Sequence, residues 1–271
     1  MTVSTADKRA AFRALHQSGC FVIPNPWDVG SAIALERLGF KALASTSSGM
    51  AWSMGMADNH VDRDLVLGHL TKVAAAVDIP LNADFEGGFA VEPEGVAESV
   101  ALCVETGVAG LSIEDSTGEA DEPLFEFSLA VERIAAARAA IDATGADVLL
   151  TARSEGFIVG RPDMAETLRR LNAFSEAGAD CLYAPGIRSE AEIAEVVAAV
   201  APKPVNVLAP GLSVAVLTRL GARRISVGGA LARTAWGEFL RAARAIAEEG
   251  EFPAFARAAK GGDLNAMFGG R

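Results

Sequence analysis

The stretch DATGADVLLTAR, residues 142–153, contains the pattern that decides the fold. A helical segment ends at Gly145, and an apolar run then leads to Arg153. Glycine suits the left-handed backbone conformation that closes many helices. The same unit recurs in four other stretches: ERLGFKALASTS (36–47), VETGVAGLSIED (104–115), SEAGADCLYAPG (175–186) and TRLGARRISVGG (218–229). This repetition predicts a fold in which helices and short strands alternate.

Three further segments complete a set of eight predicted strands. Two of them use proline before the strand, AAVDIPLNADF (75–85) and AVAPKPVNVLAP (199–210), and the third is the opening GCFVIPNPWD (19–28). The strands are short and mostly apolar, as is typical of strands that are buried on both faces. They are predicted near residues 21–25, 42–47, 80–84, 109–114, 147–153, 181–185, 204–208 and 224–228.

Eight such strands with helical crossovers predict an α/β fold, a (β/α)8 TIM barrel, with an open doubly wound sheet as the alternative. We find no linker or composition break, so we expect residues 1–271 to form a single domain. The terminal helices after about residue 230 are expected to dock on the barrel or on a neighbouring subunit.

The composition disfavours several classes of binding partner. The net charge is −11, from 24 basic and 35 acidic residues, which disfavours nucleic acid and anionic membranes. The three cysteines are odd in number and far apart, and are interpreted as reduced core residues. The amino-terminus lacks the apolar segment of a signal peptide, and no apolar run is long enough to span a bilayer. We therefore expect a cytoplasmic protein.

Polar side chains follow almost every predicted strand, and three of them directly follow apolar strands. These three are Asp84, Glu114 and Arg153. Active sites of (β/α)8 barrels lie at the carboxyl ends of the strands, so we expect these side chains to meet there. The two carboxylates are hard oxygen ligands that suit Mg²⁺ or Mn²⁺, held partly through water. Arg153 can bind a substrate carboxylate through two parallel hydrogen bonds.

The other groups at this rim are less informative. The backbone amides of Ser48, Gly49 and Met50 are predicted to hold a second anionic group. In PLNADFEGGF (80–89), we assign Glu86 to the turn after the strand, with a surface or supporting role. His60 lies two residues after Asp58 and could reach the site, but a loop or surface histidine is the simpler interpretation.

At these residues the sequence resembles the isocitrate lyase/phosphoenolpyruvate mutase superfamily. The likeness covers nearly the whole chain and rests on six motifs in order: NPWDVGSA (25–32), SSGMAWSMGMAD (47–58), NADFEGGF (82–89), LSIEDS (111–116), TARSEGF (151–157) and LSVAVLTRLGARRISVGGALAR (212–233). The resemblance implies a (β/α)8 barrel that exchanges its last helix between subunits and forms a homo-dimer or homo-tetramer.

The resemblance also implies a chemistry and a set of site residues. Such proteins bind Mg²⁺ or Mn²⁺ and a small anionic 2-oxo or 2-hydroxy acid, and they make or break a C–C or P–C bond through an enolate. Carried over by position, Asp58, Asp84 and Glu114 would surround the metal, mostly through water. The substrate would be bound by Arg153, by Asn206 and by the amides of Ser48, Gly49 and Met50, with Asp58 and Arg153 as the catalytic pair.

Three departures from the family pattern bear on the reaction. Where the family has Asp-Ala-Asp in the third strand, this chain has Asn82-Ala83-Asp84, with an extra residue in the turn that follows. The lyases carry a Lys-Cys-Gly-His stretch after the fourth strand, but STGEADEPLFEFSLAVERI (116–134) has no Cys, Lys or His. No lysine lies between Lys72 and Lys203, whereas the phosphonate-processing members use one in this loop.

The sequence therefore favours a metal-dependent C–C lyase, including decarboxylases, that acts on oxaloacetate- or (methyl)isocitrate-type acids. Three alternatives remain. The first is a phosphonopyruvate hydrolase or phosphoenolpyruvate mutase-like enzyme, and the second is a barrel that binds a 2-oxoacid without catalysis. The third and weakest uses SVGGAL (226–231) as a phosphate site.

Overall fold

The computed structural model of the chain describes residues 3–209 and 211–269. Eight parallel strands form one sheet in the order β1-β8-β7-β6-β5-β4-β3-β2. The strands are β1 (Phe21–Ile23), β2 (Leu43–Ala44), β3 (Leu81–Asp84), β4 (Gly110–Glu114), β5 (Leu149–Arg153), β6 (Cys181–Tyr183), β7 (Val205–Leu208) and β8 (Arg224–Ser226). The Ala44 amide donates to the Pro24 carbonyl at 3.1 Å and joins the two ends of the sheet. The predicted barrel is confirmed.

Helices alternate with these strands on the outside of the barrel. They are α1 (Thr5–Gln17), α2 (Val29–Arg37), α3 (Ser47–Ser53), α4 (Arg63–Ala76), α5 (Pro93–Glu105), α6 (Phe127–Thr144), α7 (Met164–Glu176), α8 (Glu190–Ala199), α9 (Val214–Arg219), α10 (Ala230–Glu249), a 3₁₀ helix (Pro253–Arg257) and α11 (Gly261–Phe268). Gly145 ends α6 with φ 69°, the left-handed conformation predicted for it. None of the described helices has the length and apolar character of a membrane span.

All eight predicted strands exist, but several are shorter than predicted. The second strand ends at Ala44, because Thr46 already caps α3 by accepting a hydrogen bond from the Gly49 amide. The eighth ends at Ser226, because the chain turns at Gly228 and begins α10. The polar residues that follow these strands therefore lie in loops and helix starts.

Two apolar clusters hold the barrel together. The larger cluster lies between the strands and the outer helices, and the smaller one centres on Phe12 of α1. A Cβ added to Gly110 would lie 2.6 Å from the Phe12 ring and 2.7 Å from Oδ1 of Asn82. Since Gly110 is the first residue of β4, Phe12 packs against the amino-terminal ends of the strands. The opposite end of the barrel is left for polar side chains.

The last helix, α11, lies against α2 of the barrel. Arg37 donates to the carbonyl of Ala266 at 3.4 Å, which joins α2 to α11. Trp236, Phe239 and Leu240 of α10 are exposed. Exchange of a helix between subunits, the oligomeric state and the single domain of residues 1–271 remain predictions. Cys20, Cys103 and Cys181 are free thiols, as predicted.

Candidate active site

The three strand-end residues singled out by the sequence lie together at the carboxyl end of the barrel. Arg153 Nη1 is 2.7 Å from Asp84 Oδ1 and 3.1 Å from Glu114 Oε2. Neighbouring parallel strands bring them together, since Glu114 of β4 is in register with Arg153 of β5. The side chains of all three are less than one fifth exposed. These contacts define the candidate site.

Arg153 is more fully engaged than the sequence predicted. Its Nε and Nη2 both lie 2.9 Å from Oε1 of Glu155, a carboxylate that sequence reasoning did not select. Burial lowers the pKa of Arg153, but Glu155, Glu114 and Asp84 more than offset this effect, so the pKa lies well above its ordinary value. The guanidinium of Arg153 therefore faces three protein carboxylates, and it donates hydrogen bonds to Asp84 and Glu155. Binding of a substrate carboxylate by Arg153 remains a prediction.

Asp58 and Glu86 extend the carboxylate cluster. Burial and the nearby charge of Asp84 raise the pKa of Asp58, although a hydrogen bond with the Ser47 side chain opposes the shift. Burial, Asp84 and Asp58 raise the pKa of Glu86 to about 7. Burial also raises the pKa of Glu114 well above its ordinary value, although Arg153 opposes the shift. Glu86 lies in the turn, as predicted, and of the two roles offered for it the supporting one fits, since its carboxyl group interacts with the cluster.

The position of Glu86 also changes how the third strand compares with the family motif. Asp84 ends β3, and Glu86 follows it with φ 47° in the turn. Asp84-Phe85-Glu86 thus presents two carboxylates in an acid-x-acid spacing at the rim. This acid-x-acid spacing is also that of the family's Asp-Ala-Asp.

Asn82 instead belongs to a buried polar layer below the rim. Arg224 Nη1 donates to Asn82 Oδ1 at 3.3 Å, and Arg224 Nε donates to Asn206 Oδ1 at 2.8 Å. The Nδ2 group of Asn206 donates to Ser226 Oγ at 2.9 Å. Both ends of the Asn206 side-chain amide are therefore hydrogen-bonded to protein groups, although Asn206 was predicted to bind substrate. Sequence reasoning missed Arg224, because it lies at the start of a strand and not at its end.

The start of α3 corrects the predicted anion-binding amides. The Met50 amide donates to the Thr46 carbonyl at 3.0 Å and so forms the first bond of the helix. The Gly49 amide donates to Thr46 Oγ1 at 3.4 Å, and the Ser47 amide donates to Asp84 Oδ2 at 3.0 Å. The orphan amides of a helix are those of its first three residues. Of the three predicted amides, that of Ser48 is the best candidate for a free N–H donor beside the cavity.

These groups surround a cavity of about 160 Å³ at the barrel mouth. Its walls include Ser48, Asp58, Asp84, Arg153 and Asn206. A cavity of this size suits a small acid.

A second cavity, of about 490 Å³, lies on the other side of the carboxylates. It is lined by Glu86, Glu114 and His60. The ring Nδ1 of His60 lies 2.8 Å from the Asp58 carbonyl, and the side chain is exposed. His60 therefore borders the carboxylate cluster while remaining an exposed loop residue.

The loop after β4 is held close to the site by a buried ion pair. Arg170 Nη1 lies 3.1 Å from Asp115 Oδ2, and the Glu155 amide donates to Asp115 Oδ1 at 2.7 Å. The acidic part of the loop, residues 118–122, is exposed, and a bridge between Ser116 and Leu124 closes it into a hairpin. A role for this loop as a lid remains a prediction.

The carboxylate cluster offers the hard oxygen donors that a divalent cation such as Mg²⁺ prefers. Among residues 3–209 and 211–269, no three His, Cys, Asp or Glu side chains are already arranged as a metal cage. The oxygen donors and the charge nevertheless fit such an ion. Four carboxylates, those of Asp58, Asp84, Glu86 and Glu114, share one arginine with Glu155. Burial, together with the negative charge of neighbouring carboxylates, raises the pKa values of three of the four. A cation held partly through water would relieve this excess.

Comparison with known proteins by sequence yields relatives of several activities. An uncharacterized protein of Mycobacterium tuberculosis is 33% identical over 90% of this chain and 91% of its own length. The 2-methylisocitrate lyase of Escherichia coli is 30% identical over 65% of this chain and 62% of its own. An oxaloacetate decarboxylase of Paraburkholderia xenovorans is 27% identical over 70% of this chain and 64% of its own.

Solved structures agree over almost the whole chain. A Burkholderia cenocepacia protein, assigned provisionally as a lyase/mutase, has a TM-score of 0.94 and 48% identity, covering 97% of this chain and 96% of its own. Oxaloacetate acetylhydrolase in complex with oxalate has a TM-score of 0.85 and 26% identity, covering 97% and 93%. Phosphonopyruvate hydrolase with oxalate and Mg²⁺ has a TM-score of 0.85 and 25% identity, covering 99% and 95%.

The fold and the relatives define an enzyme of the lyase and mutase class on a (β/α)8 barrel. More particularly, the family model for phosphoenolpyruvate phosphomutase matches residues 12–247. The chain belongs to this family, within the isocitrate lyase/phosphoenolpyruvate mutase superfamily that the sequence motifs resemble.

Proposed function

We propose that this protein cleaves a C–C bond in a small 2-oxo or 2-hydroxy di- or tricarboxylate, by lyase chemistry that includes decarboxylation, with Mg²⁺ or Mn²⁺ as cofactor. One observation carries the proposal. The carboxylates of Asp58, Asp84, Glu86 and Glu114 and the guanidinium of Arg153 meet beside a cavity of about 160 Å³. A cation site and a fixed positive charge in so small a space suit a small chelating acid.

The metal would be held by Asp84, Glu86, Glu114 and Asp58, mostly through water. When bound, such an ion polarises the 2-oxo group of an acid and stabilises the negative charge of an enolate. Glu86 joins this set because it lines a cavity together with Glu114, and because burial, Asp84 and Asp58 raise its pKa. The Mg²⁺ and oxalate in the related phosphonopyruvate hydrolase support the choice of ion and ligand class.

The protein's own groups would bind and orient the acid. The amide of Ser48 and the guanidinium of Arg153 are donors for its carboxylate and oxyanion, and Asp58 completes the wall near them. Asn206 acts through its hydrogen bonds as part of the cavity floor. Decarboxylation suits this site, because it needs a stabilised enolate and no cysteine in the loop after β4.

Phosphonopyruvate hydrolysis is the second candidate. It is supported by the hydrolase neighbour, whose structure matches 99% of this chain. The absence of lysine between Lys72 and Lys203 counts against it, because the phosphonate-processing members use a lysine in the loop after β4. A barrel that binds a 2-oxoacid without turnover is the remaining alternative.

The decisive experiment offers a panel of 2-oxo and 2-hydroxy di- and triacids, with phosphonopyruvate, to the purified protein and Mg²⁺ or Mn²⁺. Release of CO₂, of an oxo-acid fragment or of phosphate separates the candidates. Asp84→Ala is expected to abolish turnover and leave the circular dichroism spectrum unchanged. Glu195→Ala, which removes an exposed carboxylate on α8, should retain it. Tight binding of an acid without turnover would favour the non-catalytic barrel, and no turnover of any C–C substrate would contradict the proposal.

A further inference from the structure

A chain of hydrogen bonds runs from buried Arg224 to the mouth cavity and ends at Tyr183. Arg224 Nε donates to Asn206 Oδ1 at 2.8 Å, and Asn206 Nδ2 donates to Ser226 Oγ at 2.9 Å. Ser226 Oγ in turn donates to the Tyr183 hydroxyl oxygen at 3.5 Å. Tyr183 is 7% exposed and lines the cavity together with Arg153. The chain therefore connects a fixed charge in the barrel to a phenol at the site.

The direction of this chain is set by the chemistry of its first member. A guanidinium can only donate, so Asn206 must turn its oxygen to Arg224 and its NH₂ group to Ser226. Ser226 Oγ accepts from Asn206 and gives its single proton to Tyr183. The Tyr183 hydroxyl thus accepts one hydrogen bond, and no acceptor in the described part of the chain receives its proton. This O–H is available to a ligand in the cavity.

The surroundings of Tyr183 suit a group that gives up a proton briefly. Burial raises the pKa of Tyr183 to about 12, and the charges of Glu155 and Asp84 add to this effect. The phenol therefore keeps its proton at neutral pH. Arg153, whose guanidinium carbon is 5.2 Å from the ring centroid, and the Ser226 hydroxyl act in the opposite direction. They would stabilise a short-lived phenolate.

The proposed reaction needs such a proton. When the C–C bond breaks, its electron pair remains on the substrate as an enolate, and the enolate carbon must be protonated to give the product. The loop after β4 has no Cys, Lys or His to supply this proton. Tyr183 is the sole tyrosine of the chain, and it lines the cavity.

We propose that Tyr183 donates its hydroxyl proton to the enolate carbon, and that Ser226 and Asn206 are positioning residues that keep the phenol oriented. The inference rests on the proposed function. In decarboxylation, the C–C bond breaks with loss of CO₂, a C–H bond forms, and the O–H bond of Tyr183 breaks. The phenolate then takes a proton from water, so that one solvent proton is consumed for each CO₂ released.

The stereochemistry of the product tests this role. Decarboxylation of 3-methyl-2-oxosuccinate in D₂O with Mg²⁺ gives 2-oxobutanoate that carries one deuterium at C3. If Tyr183 is the donor, the wild-type product has one configuration, and the Tyr183→Phe product is an equal mixture because solvent protonates a released enolate. Ser226→Ala keeps the donor and should keep the configuration at a lower rate. A Tyr183→Phe product with the wild-type configuration, or a racemic wild-type product, would overturn the inference.

A binding measurement checks the contact without turnover. Because the chain has one tyrosine, growth on 3-fluorotyrosine labels position 183 alone, and Tyr183→Phe provides the blank. The ¹⁹F resonance is expected to shift when oxalate is added to the Mg²⁺-loaded protein. An unchanged resonance at saturating oxalate would show that Tyr183 does not touch the ligand. Failure of the proposed function is distinct, since it appears as a wild-type protein that turns over no acid.

Discussion

Replacing Glu86 by glutamine should stabilise the folded protein at alkaline pH and change it little at acidic pH. Burial, Asp84 and Asp58 raise the pKa of Glu86 from 4.5 to about 7. In the folded state the proton is therefore held more tightly than in the unfolded chain, and ionisation of Glu86 opposes folding. This cost is absent below pH about 4.5 and complete above pH about 7. Glutamine cannot ionise, so Glu86→Gln removes the cost.

A difference of about 2.5 in pKa corresponds to about 3 kcal/mol, and solvent screening of this partly exposed group makes that an upper bound. Urea unfolding at pH 5 and pH 8, without divalent metal, measures the effect. We expect Glu86→Gln to raise the free energy of unfolding by up to about 3 kcal/mol at pH 8 and by less than about 1 kcal/mol at pH 5. Glu119→Gln, which changes an exposed carboxylate at the second cavity, is the matched control. Equal effects of Glu86→Gln at both pH values, or no excess over the control, would refute the reasoning.

Two further predictions concern the interior of the barrel. Asn82→Asp places a carboxylate beside Arg224 and not in the rim cluster. We therefore expect no change in Mg²⁺ affinity measured by calorimetry. A gain of about tenfold would instead show that position 82 can contribute a metal ligand. Gly110→Ala should lower the free energy of unfolding by about 1–3 kcal/mol, because the new Cβ would lie 2.6 Å from Phe12. The control Gly68→Ala, in α4 with open space around it, should instead stabilise the protein by up to about 1 kcal/mol in the same urea unfolding experiment.

The fold was predictable from the sequence because each repeat contains its own local signals. The unit ending at Arg153 contains the end of a helix, a glycine that closes it and an apolar strand, all within 12 residues of chain. These signals depend on backbone conformation and on burial of the strand, and both can be read from neighbouring residues. The strand ends Asp84, Glu114 and Arg153 were predictable for the same reason, since a barrel brings the carboxyl ends of its strands to one rim.

The parts that could not be predicted depend on contacts between residues far apart in the chain. Arg224 meets Asn82 across 142 positions, and nothing near either residue indicates the other. The direction of the chain from Arg224 to Tyr183 follows only when Asn206 and Ser226 are placed between them. The sequence left Glu86 with either a surface or a supporting role, because a residue in the turn after a strand can face either solvent or the rim, and only its contact with Asp84 and Asp58 separates the two.

The placement of Arg153 has a consequence for how a metal and an acid would share the site. Its guanidinium now compensates Asp84, Glu114 and Glu155, and isolated buried carboxylates would be costly without it. A divalent cation near Asp84 and Glu114 would take over part of this compensation and leave Arg153 free to interact with an anionic ligand. Under the proposed function, the metal thus prepares the site for the acid. Since such coupling is reciprocal, Mg²⁺ should tighten oxalate binding by the same factor by which oxalate tightens Mg²⁺ binding.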